Sequence, residues 1–458
     1  MSETEFSSED TIVAISTPPG RGGIGIVRLS GPAARAIAEP LLKLRHSLAP
    51  SQARFAEILD STGEVLDEAV VTYFQSPHSY TSEDVVEIAA HGSPVLLDHL
   101  LRQCVAAGGR LAEPGEFTQR AFLSGRLDLT QAEAVHDLIE STTLHQARVA
   151  AHQLGGSLSR QISPIKQQLI SLIAALEAGI DFAEDDIDLL PQDQITSQIA
   201  AIETPLTALE QSYSYGRIIR DGFTMAIVGR PNVGKSSLFN RLVQRDRAIV
   251  TATPGTTRDL VTERISLEGI PVELIDTAGL RDSTDEAESI GIIKSREVMA
   301  EADVVLLVLD ATTPPNHEDK ATLAALADRP TLIVLNKLDL AKGEPQAAIM
   351  KGDVRKLIGT SALTGSGIPE LRRAILSLIT KETWNIESVL LTNQRQQQSV
   401  LKALNALRRA RQATIVTIPH EMILLDLYQA LRALDDFSGS TTSDEILNLI
   451  FTKFCIGK

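Results

Sequence analysis

The chain has 458 residues, 43% of them hydrophobic and 22% charged, a multidomain globular composition that excludes disordered and disulfide-stapled classes. Its 43 basic and 59 acidic side chains give a net charge of −16, so any nucleic-acid contact has to come from a local basic face. Cys104 and Cys455 make no disulfide framework and no apolar run reaches ~18 residues, so a reducing, cytoplasmic setting without a membrane span is expected. In chain order, the acidic opening 1–10 lacks a hydrophobic segment, and no signal peptide is expected. Residues 12–15 and 24–29 read as two strands joined by Pro18-Pro19-Gly20-Arg21-Gly22-Gly23. Gly20, Gly22 and Gly25 also satisfy G-x-G-x-x-G, but that fingerprint has to open a helix, and the residues after Gly25 alternate like a strand. A glycine-rich β-turn is the better reading, which sets aside a NAD-linked oxidoreductase. A helix at 32–44, strands near 69–74 and 85–89, and a helix at 94–107 with Cys104 in its core complete an α+β domain ending near residue 120.

From 119 to 213 strand signals fade. Ala132, Val135, Leu138 and Ile139 fall at helical spacing in a helix expected over 130–154, and the pattern repeats at 161–180. Glu184, Asp185, Asp186 and Asp188 lack the glycine of a calcium loop, so a solvated turn is expected there. Helical patterning returns at 392–413, 420–434 and 443–453, after a segment in which strands and helices alternate. The economical arrangement is a helical domain interrupted by an insertion. The expected domains are an N-terminal α+β domain at 1–120, helical portions at 121–219 and 383–458, and an inserted α/β P-loop domain at 220–382.

Inside the insert, Gly229-Arg230-Pro231-Asn232-Val233-Gly234-Lys235-Ser236 fits G-x-x-x-x-G-K-[ST] between a strand pattern and a helix pattern that opens at Ser237. Glycines let backbone N–H groups converge on one point, and the helix start adds partial positive charge there. Lys235 is placed to reach the β- and γ-phosphates, and Ser236 to hold Mg²⁺. In Thr251-Ala252-Thr253-Pro254-Gly255-Thr256-Thr257 a hydroxyl, with Thr257 preferred, would complete the Mg²⁺ shell only when γ-phosphate is present, an order–disorder switch. Asp276-Thr277-Ala278-Gly279 follows a strand; Asp276 suits the water shell of Mg²⁺ and the Gly279 N–H suits the γ-phosphate. Asn336-Lys337-Leu338-Asp339 follows another strand, and its terminal carboxylate can accept two N–H donors from guanine while mismatching adenine. Ser361-Ala362-Leu363 adds a backbone contact to the base. These elements in this order point to guanine nucleotide and away from ATP. Many small GTPases carry a water-orienting glutamine just after D-x-x-G, but Leu280 stands there. The replacement is a cation near the phosphates or one of Asp282, Asp285, Glu286 and Glu288, most of which read better as a solvated loop.

The GTPase elements resemble the translation-factor-related class in which a hydrophobic residue replaces that glutamine. The Pro18–Gly23 run, Glu113-Pro114-Gly115-Glu116-Phe117, Leu127-Asp128-Leu129-Thr130-Gln131-Ala132-Glu133-Ala134 and the ending Phe454-Cys455-Ile456-Gly457-Lys458 are similar to the MnmE (TrmE) family of tRNA modification GTPases over nearly the whole chain. The resemblance implies a homodimer with an N-terminal folate-binding and dimerising domain, a helical domain and an inserted G domain. It implies an FAD-dependent partner, MnmG (GidA), in a heterotetrameric complex. It also implies installation of a (carboxymethyl)aminomethyl group at C5 of the tRNA wobble uridine, with the one-carbon unit from 5,10-methylene- or 5-formyl-tetrahydrofolate. By position, the folate contacts would be Arg28, Glu87, Arg126 and Lys458, with arginine at 126 where the family commonly has lysine. Asn232, Thr251, Thr253 and Thr256 match the family's K⁺ loop, and Glu288 its water-orienting glutamate. The resemblance places Cys455 near the folate as nucleophile or contact residue; its prenylation-like setting is ruled out by the terminal lysine. For tRNA, Arg395, Lys402, Arg408, Arg409 and Arg411 form the best basic face, or equally a solvated helix surface. The alternative function is a ribosome-assembly GTPase acting as a binding switch. Such proteins usually append an RNA-binding module such as a KH domain, and no G-x-x-G loop of that kind is found in the C-terminal helices.

Overall fold

The computed structural model describes residues 10–181, 190–243, 261–276, 301–327, 329–341, 357–379, 389–440 and 444–457. The chain divides into two compact units: Met1–His136 with Gln153–Gln192 and Asn405–Lys458, and Asp137–His152 with Asp193–Leu404. Among the described residues no helix is long and apolar enough to cross a membrane.

The first unit carries a seven-stranded sheet of β1 (Ile12–Ile15), β2 (Gly22–Ser30), β3 (Leu42–Leu44), β4 (Ala53–Leu59), β5 (Val65–Phe74), β6 (Val85–Gly92) and β7 (Arg110–Leu111). Their order is β3-β4-β5-β6-β2-β1-β7, antiparallel throughout except for β1 with β7. Period-two alternation selects the inner face: Ala69, Val71 and Tyr73 of β5 are buried while Val70 is exposed. The helix Pro94–Ala106 covers that face with Leu97, Leu100 and Cys104, and burial pushes the Cys104 thiol up to about 12. The glycine run opens β2 and no helix, as expected, and Gly25 is fixed by packing, since a Cβ there would lie 2.3 Å from Leu97 Cδ1.

The helix expected at 32–44 is shorter. Ala34–Ala38 passes into a 3₁₀ turn at Glu39–Leu41, and Leu42–Leu44 is strand β3. Pro40 sits where a continuing helix would need an N–H. Strand β4 was not foreseen because the charged Arg54 and Glu57 dilute its pattern, although Ala56 and Ile58 are buried. Elsewhere in this unit Ser157–Asp181 packs on His420–Ser438, with an ion pair between Lys166 and Asp435. The helix Asp444–Phe451 packs on Glu116–Leu123, and Leu129, Ala132, Leu447, Phe451 and Phe454 form a small core there.

The second unit carries β8 (Phe223–Val228), β9 (Val261–Leu267), β10 (Ile270–Asp276), β11 (Val304–Asp310), β12 (Thr331–Asn336) and β13 (Leu357–Gly359). Their order is β13-β12-β11-β8-β10-β9, parallel except for the β9–β10 hairpin. The apolar run of β11 follows from burial on both faces: Val304, Leu306 and Val308 enter one core, and Val305, Leu307 and Leu309 the other. The single helix expected over 130–154 is two, Leu129–Ile139 and Leu144–Leu154. Thr143 and Gln146 form a capping box at the break: Thr143 Oγ1 accepts from Gln146 N–H and Gln146 Oε1 from Thr143 N–H, both at 3.1 Å. The helix Gln192–Asp221 ends at Gly222, with φ +75°, and β8 starts at once. The chain returns to the same helix at Leu391, whose N–H donates to Ser212 Oγ (3.1 Å) and whose carbonyl oxygen would lie 2.0 Å from a Cβ on Gly216.

Candidate functional site

The phosphate-loop motif lies in the required strand–loop–helix setting, between β8 and the helix Lys235–Val243. Gly229, Asn232 and Gly234 all have positive φ, at +147°, +62° and +94°. A Cβ on Gly229 would lie 2.3 Å from the Val308 carbonyl oxygen, and one on Gly234 2.2 Å from Asn336 Nδ2. The glycines are therefore imposed by the sheet and by the base-recognition loop as well as by phosphate access. Lys235 Nζ donates to the carbonyls of Gly229 and Arg230, both at 2.9 Å, which holds the ammonium across the loop. Val233 is buried in the core, while Ser236 and Ser237 open the helix. Arg230 Nε donates to Asp319 Oδ1 (2.9 Å), a buried carboxylate that also forms a capping box with Asn316. Sequence reading missed this anchor; the Asn316-His317-Glu318-Asp319 spacing was the available signal.

Asn336 joins the phosphate loop to the base loop. It is buried, its Nδ2 donates to the Val233 carbonyl (3.0 Å), and its Oδ1 accepts from the Ala362 N–H (3.0 Å). Lys337 has φ +67°, and its Nζ donates to Asp310 Oδ2 (2.6 Å). Burial alone would raise the Asp310 carboxyl, but the bonds from Lys337 and Thr312 hold it below its ordinary value. Leu338 and Asp339 lie on a 3₁₀ turn with Asp339 exposed, Ser361 is buried, and Leu363 is 80% exposed. Asp276 closes β10 at its carboxyl end, where it pairs with Ile227 of β8. Carboxyl strand ends are where open parallel sheets bind ligands. Thr251, Ala252, Thr253, Pro254, Gly255, Thr256, Thr257, Thr277, Ala278, Gly279 and Glu288 lie outside the described residues, as do Leu280, Asp282, Asp285, Glu286 and the 184–188 acidic cluster. Among the described residues no group of three or more His, Cys, Asp or Glu is placed to hold a metal ion. The fit to Mg²⁺ therefore rests on the donor type of Ser236 at the head of its helix.

In the first unit Arg28 of β2 stands opposite Glu87 of β6, and Arg28 Nε and Nη2 both donate to Glu87 Oε1 (2.9 and 2.8 Å). The guanidinium lies over the Tyr80 ring at 5.7 Å and the Phe117 ring at 5.6 Å, two aromatics the sequence reading did not assign to this site. Burial raises the Tyr80 phenol, against the Thr118 hydroxyl bond and the charges of Arg28 and Arg126. Arg126 is exposed. Ile456 forms an isolated bridge with Pro114, and a Cβ on Gly457 would lie 2.5 Å from the Ile15 carbonyl, so the tail ends beside β1, whose Ile15 faces Val27. Cys455 is exposed, and Lys458 lies outside the described residues. A carboxylate, a guanidinium and two rings gathered at the central β2–β6 pair have the chemistry to hold a planar heterocycle bearing N–H donors.

The doubly covered parallel sheet, the phosphate loop and the Asn336-centred base loop define a P-loop GTPase domain carried by a larger α+β and helical chain. Family models match over nearly the whole length, "GTP-binding protein TrmE N-terminus" at residues 11–126 and "MnmE helical domain" at 129–455. The chain belongs to the MnmE (TrmE) family of tRNA modification GTPases. The tRNA modification GTPase MnmE of Koribacter versatilis (strain Ellin345) is 58% identical over 455 residues, which is 98% of this chain and 99% of that one. The protein of the same name from Aquifex aeolicus (strain VF5) is 41% identical over 450 residues, 98% of this chain and 100% of that one. Among solved structures, the G domain of the T. maritima FeoB iron transporter is 28% identical, covering 34% of this chain and 99% of that one, with a TM-score of 0.27.

Proposed function

We propose that this protein is a cytoplasmic, K⁺-stimulated GTPase that installs a (carboxymethyl)aminomethyl group at C5 of the tRNA wobble uridine. It acts as a homodimer with an FAD-dependent partner of the MnmG (GidA) type. The observation that carries the reading is the pairing, in one chain of this family, of a phosphate loop tied to a guanine-type base loop through Asn336 with an Arg28–Glu87 pair under two rings. The domain boundaries at 120, 220 and 382 belong to the same proposal. The return of Leu391 to the helix that leads into β8 supports an insertion.

In this reading Lys235 meets the β- and γ-phosphates, Asp339 accepts the guanine N–H donors, and Gly279 donates to the γ-phosphate. Ser236 and Thr257 would hold Mg²⁺, and Asn232, Thr251, Thr253 and Thr256 would hold K⁺; these cations supply positive charge where negative charge develops on the phosphates. Glu288 orients the attacking water in place of a glutamine. Arg28, Glu87, Arg126 and Lys458 would hold the tetrahydrofolate, which supplies a one-carbon unit. Cys455 is reachable from solvent at the tail, as nucleophile or contact residue. Cys455→Ser separates its roles: loss of uridine modification with GTP hydrolysis within a few-fold of wild type is expected, whereas a fall in both makes it structural.

The nucleoside profile of tRNA from cells lacking the protein tests the whole reading. An unmodified C5 at the wobble uridine, restored by the wild-type chain, is expected. An unchanged profile accompanied by accumulated ribosomal-subunit precursors would establish the ribosome-assembly alternative.

A further inference from the structure

On the second unit lies a cleft of about 470 Å³ that three arginines share. Arg241 comes from the last turn of the helix that follows the phosphate loop. Arg372 and Arg373 come from the opening turns of the helix Ile368–Ile379. The fourth charged residue of the lining is Glu268, at the tip of the β9–β10 hairpin, so cations outnumber anions by three to one there. That balance is opposite to the −16 of the whole chain.

Two of the guanidiniums lie against backbone. Arg241 lies against Gly365, where a Cβ would come within 2.5 Å of its Nη2 and 3.2 Å of its Cζ. Gly365 has φ +86°, so its backbone favours glycine, and without a Cβ it leaves room for the guanidinium. Arg372 Nη2 donates to the Leu242 carbonyl (3.4 Å). Arg373 stays at the rim, with its side chain 69% exposed and a 3.1 Å pair to Glu370 one turn back. Pre-positioned planar forks are the side chains best matched to phosphate oxygens. On the helix basic face favoured from sequence, Arg409 is bonded to Asp426 (2.8 Å) and Gln429 (2.7 Å), while Lys402 and Arg408 are exposed.

We propose that this cleft binds phosphodiester groups of an RNA backbone. The anion chemistry rests on the arginines, and the choice of RNA rests on the tRNA-modification reading. Cations projecting from separate helices into a cleft larger than one phosphate suit successive phosphates along a strand. The cleft also adjoins the base loop: Gly365 lies two residues beyond Leu363. RNA and guanine nucleotide would thus bear on one loop, and coupling between two bound ligands is reciprocal.

The test is binding of labelled tRNA by the full-length protein across about 50 to 300 mM salt, for wild type, Arg241→Gln, Arg373→Gln and the double variant. Each removed contact should lower the slope of log K against log salt by about 0.7–0.9 and weaken binding several-fold, with GTP affinity within twofold of wild type. Arg373→Lys should keep the slope. Arg373 is exposed, so its variants carry the test if Arg241→Gln does not fold. Wild-type binding with an unchanged slope in the Arg373 variant overturns the cleft and leaves the tRNA reading standing. Failure of wild type to bind tRNA overturns both. If the variants lose only stabilisation by inorganic phosphate, with tRNA binding unchanged, the cleft is a small-anion site and the RNA assignment falls.

Discussion

Asp339 combines exposure with the chemistry of base choice. Its neighbour Lys337 is locked onto Asp310, and Asn336 onto the phosphate loop, so the turn that presents the carboxylate is rigid. Asp339→Asn replaces an acceptor oxygen by a donor, and GTP binding should weaken tenfold or more, ~1.4 kcal/mol, while xanthosine nucleotide is better tolerated. Titration calorimetry with the two nucleotides checks it, and unchanged GTP affinity removes the guanine assignment. A second residue, Asp10, governs acid stability. It accepts from Arg110 Nε (2.6 Å) and Arg120 Nη2 (2.5 Å), within a cluster that includes Glu83 and Glu116. Burial alone would raise its carboxyl, but the two guanidiniums hold it below the ordinary 3.8. A lowered folded value means that the stabilisation is present above 3.8 and lost as pH falls through the folded value. Asp10→Asn should therefore lower the urea midpoint at pH 7, with the gap closing in acid. A gap independent of pH would show that the carboxylate charge is not its source.

At the scale of elements, the β9–β10 hairpin is the strongest case. It runs between the segments that hold Thr251–Thr257 and Thr277–Gly279, and it turns at Glu268 and Gly269, both with positive φ (49° and 91°). The Gly269 carbonyl accepts from Thr143 Oγ1 (2.6 Å), and a Cβ on Gly269 would lie 2.6 Å from His145 Cβ. Gly269→Ala meets both the backbone restriction and that contact, and should cost about 1–3 kcal/mol. Thr143→Val removes both that bond and the cap bond from the Gln146 N–H, and should cost about 1–3 kcal/mol. Because both act on one junction, the double variant should lose less than the sum in urea unfolding. Full additivity would mean that the tip and the Thr143 turn are energetically separate. The same junction explains a sequence-level miss. Thr143-Leu144-His145-Gln146 is a capping box that splits the helix expected over 130–154, and the alanine-rich flanks masked it.

At the scale of the molecule, the proposed cation loop makes a prediction about assembly. Asn232 sits at φ +62° in the phosphate loop, and the rest of the proposed oxygen set lies in the 251–257 segment. Leu280 cannot orient water, so charge developing between the phosphates needs another cation. GTPase activity should rise at least tenfold when K⁺ replaces Na⁺, only ~1.4 kcal/mol of transition-state stabilisation, and the rise should accompany G-domain dimerisation. Asn232→Ala should erase the response with GTP affinity nearly intact, whereas Glu288→Ala should slow hydrolysis in either salt. Equal rates in matched KCl and NaCl, with dimers confirmed by scattering, would sink the idea.

The α/β segment was legible because its chemistry is written in contiguous motifs. A phosphate loop needs glycine at fixed spacings, and a doubly covered parallel strand needs an unbroken apolar run, as in Val304–Asp310. The helical region was legible from period alone, while its break at Thr143 depended on local hydrogen bonds, as the early end of the helix expected at 32–44 depended on Pro40. What only the tertiary structure decided were the meetings of residues far apart in sequence. Arg28 meets Glu87 by strand register, Arg230 reaches Asp319 from the loop after β8, and Arg241, Arg372 and Arg373 come to one cleft from two helices. Such contacts carry no spacing signature, because the chain between them is free to vary. They are fixed by which faces of helix and strand bury together, a property of packing and not of any one stretch of sequence.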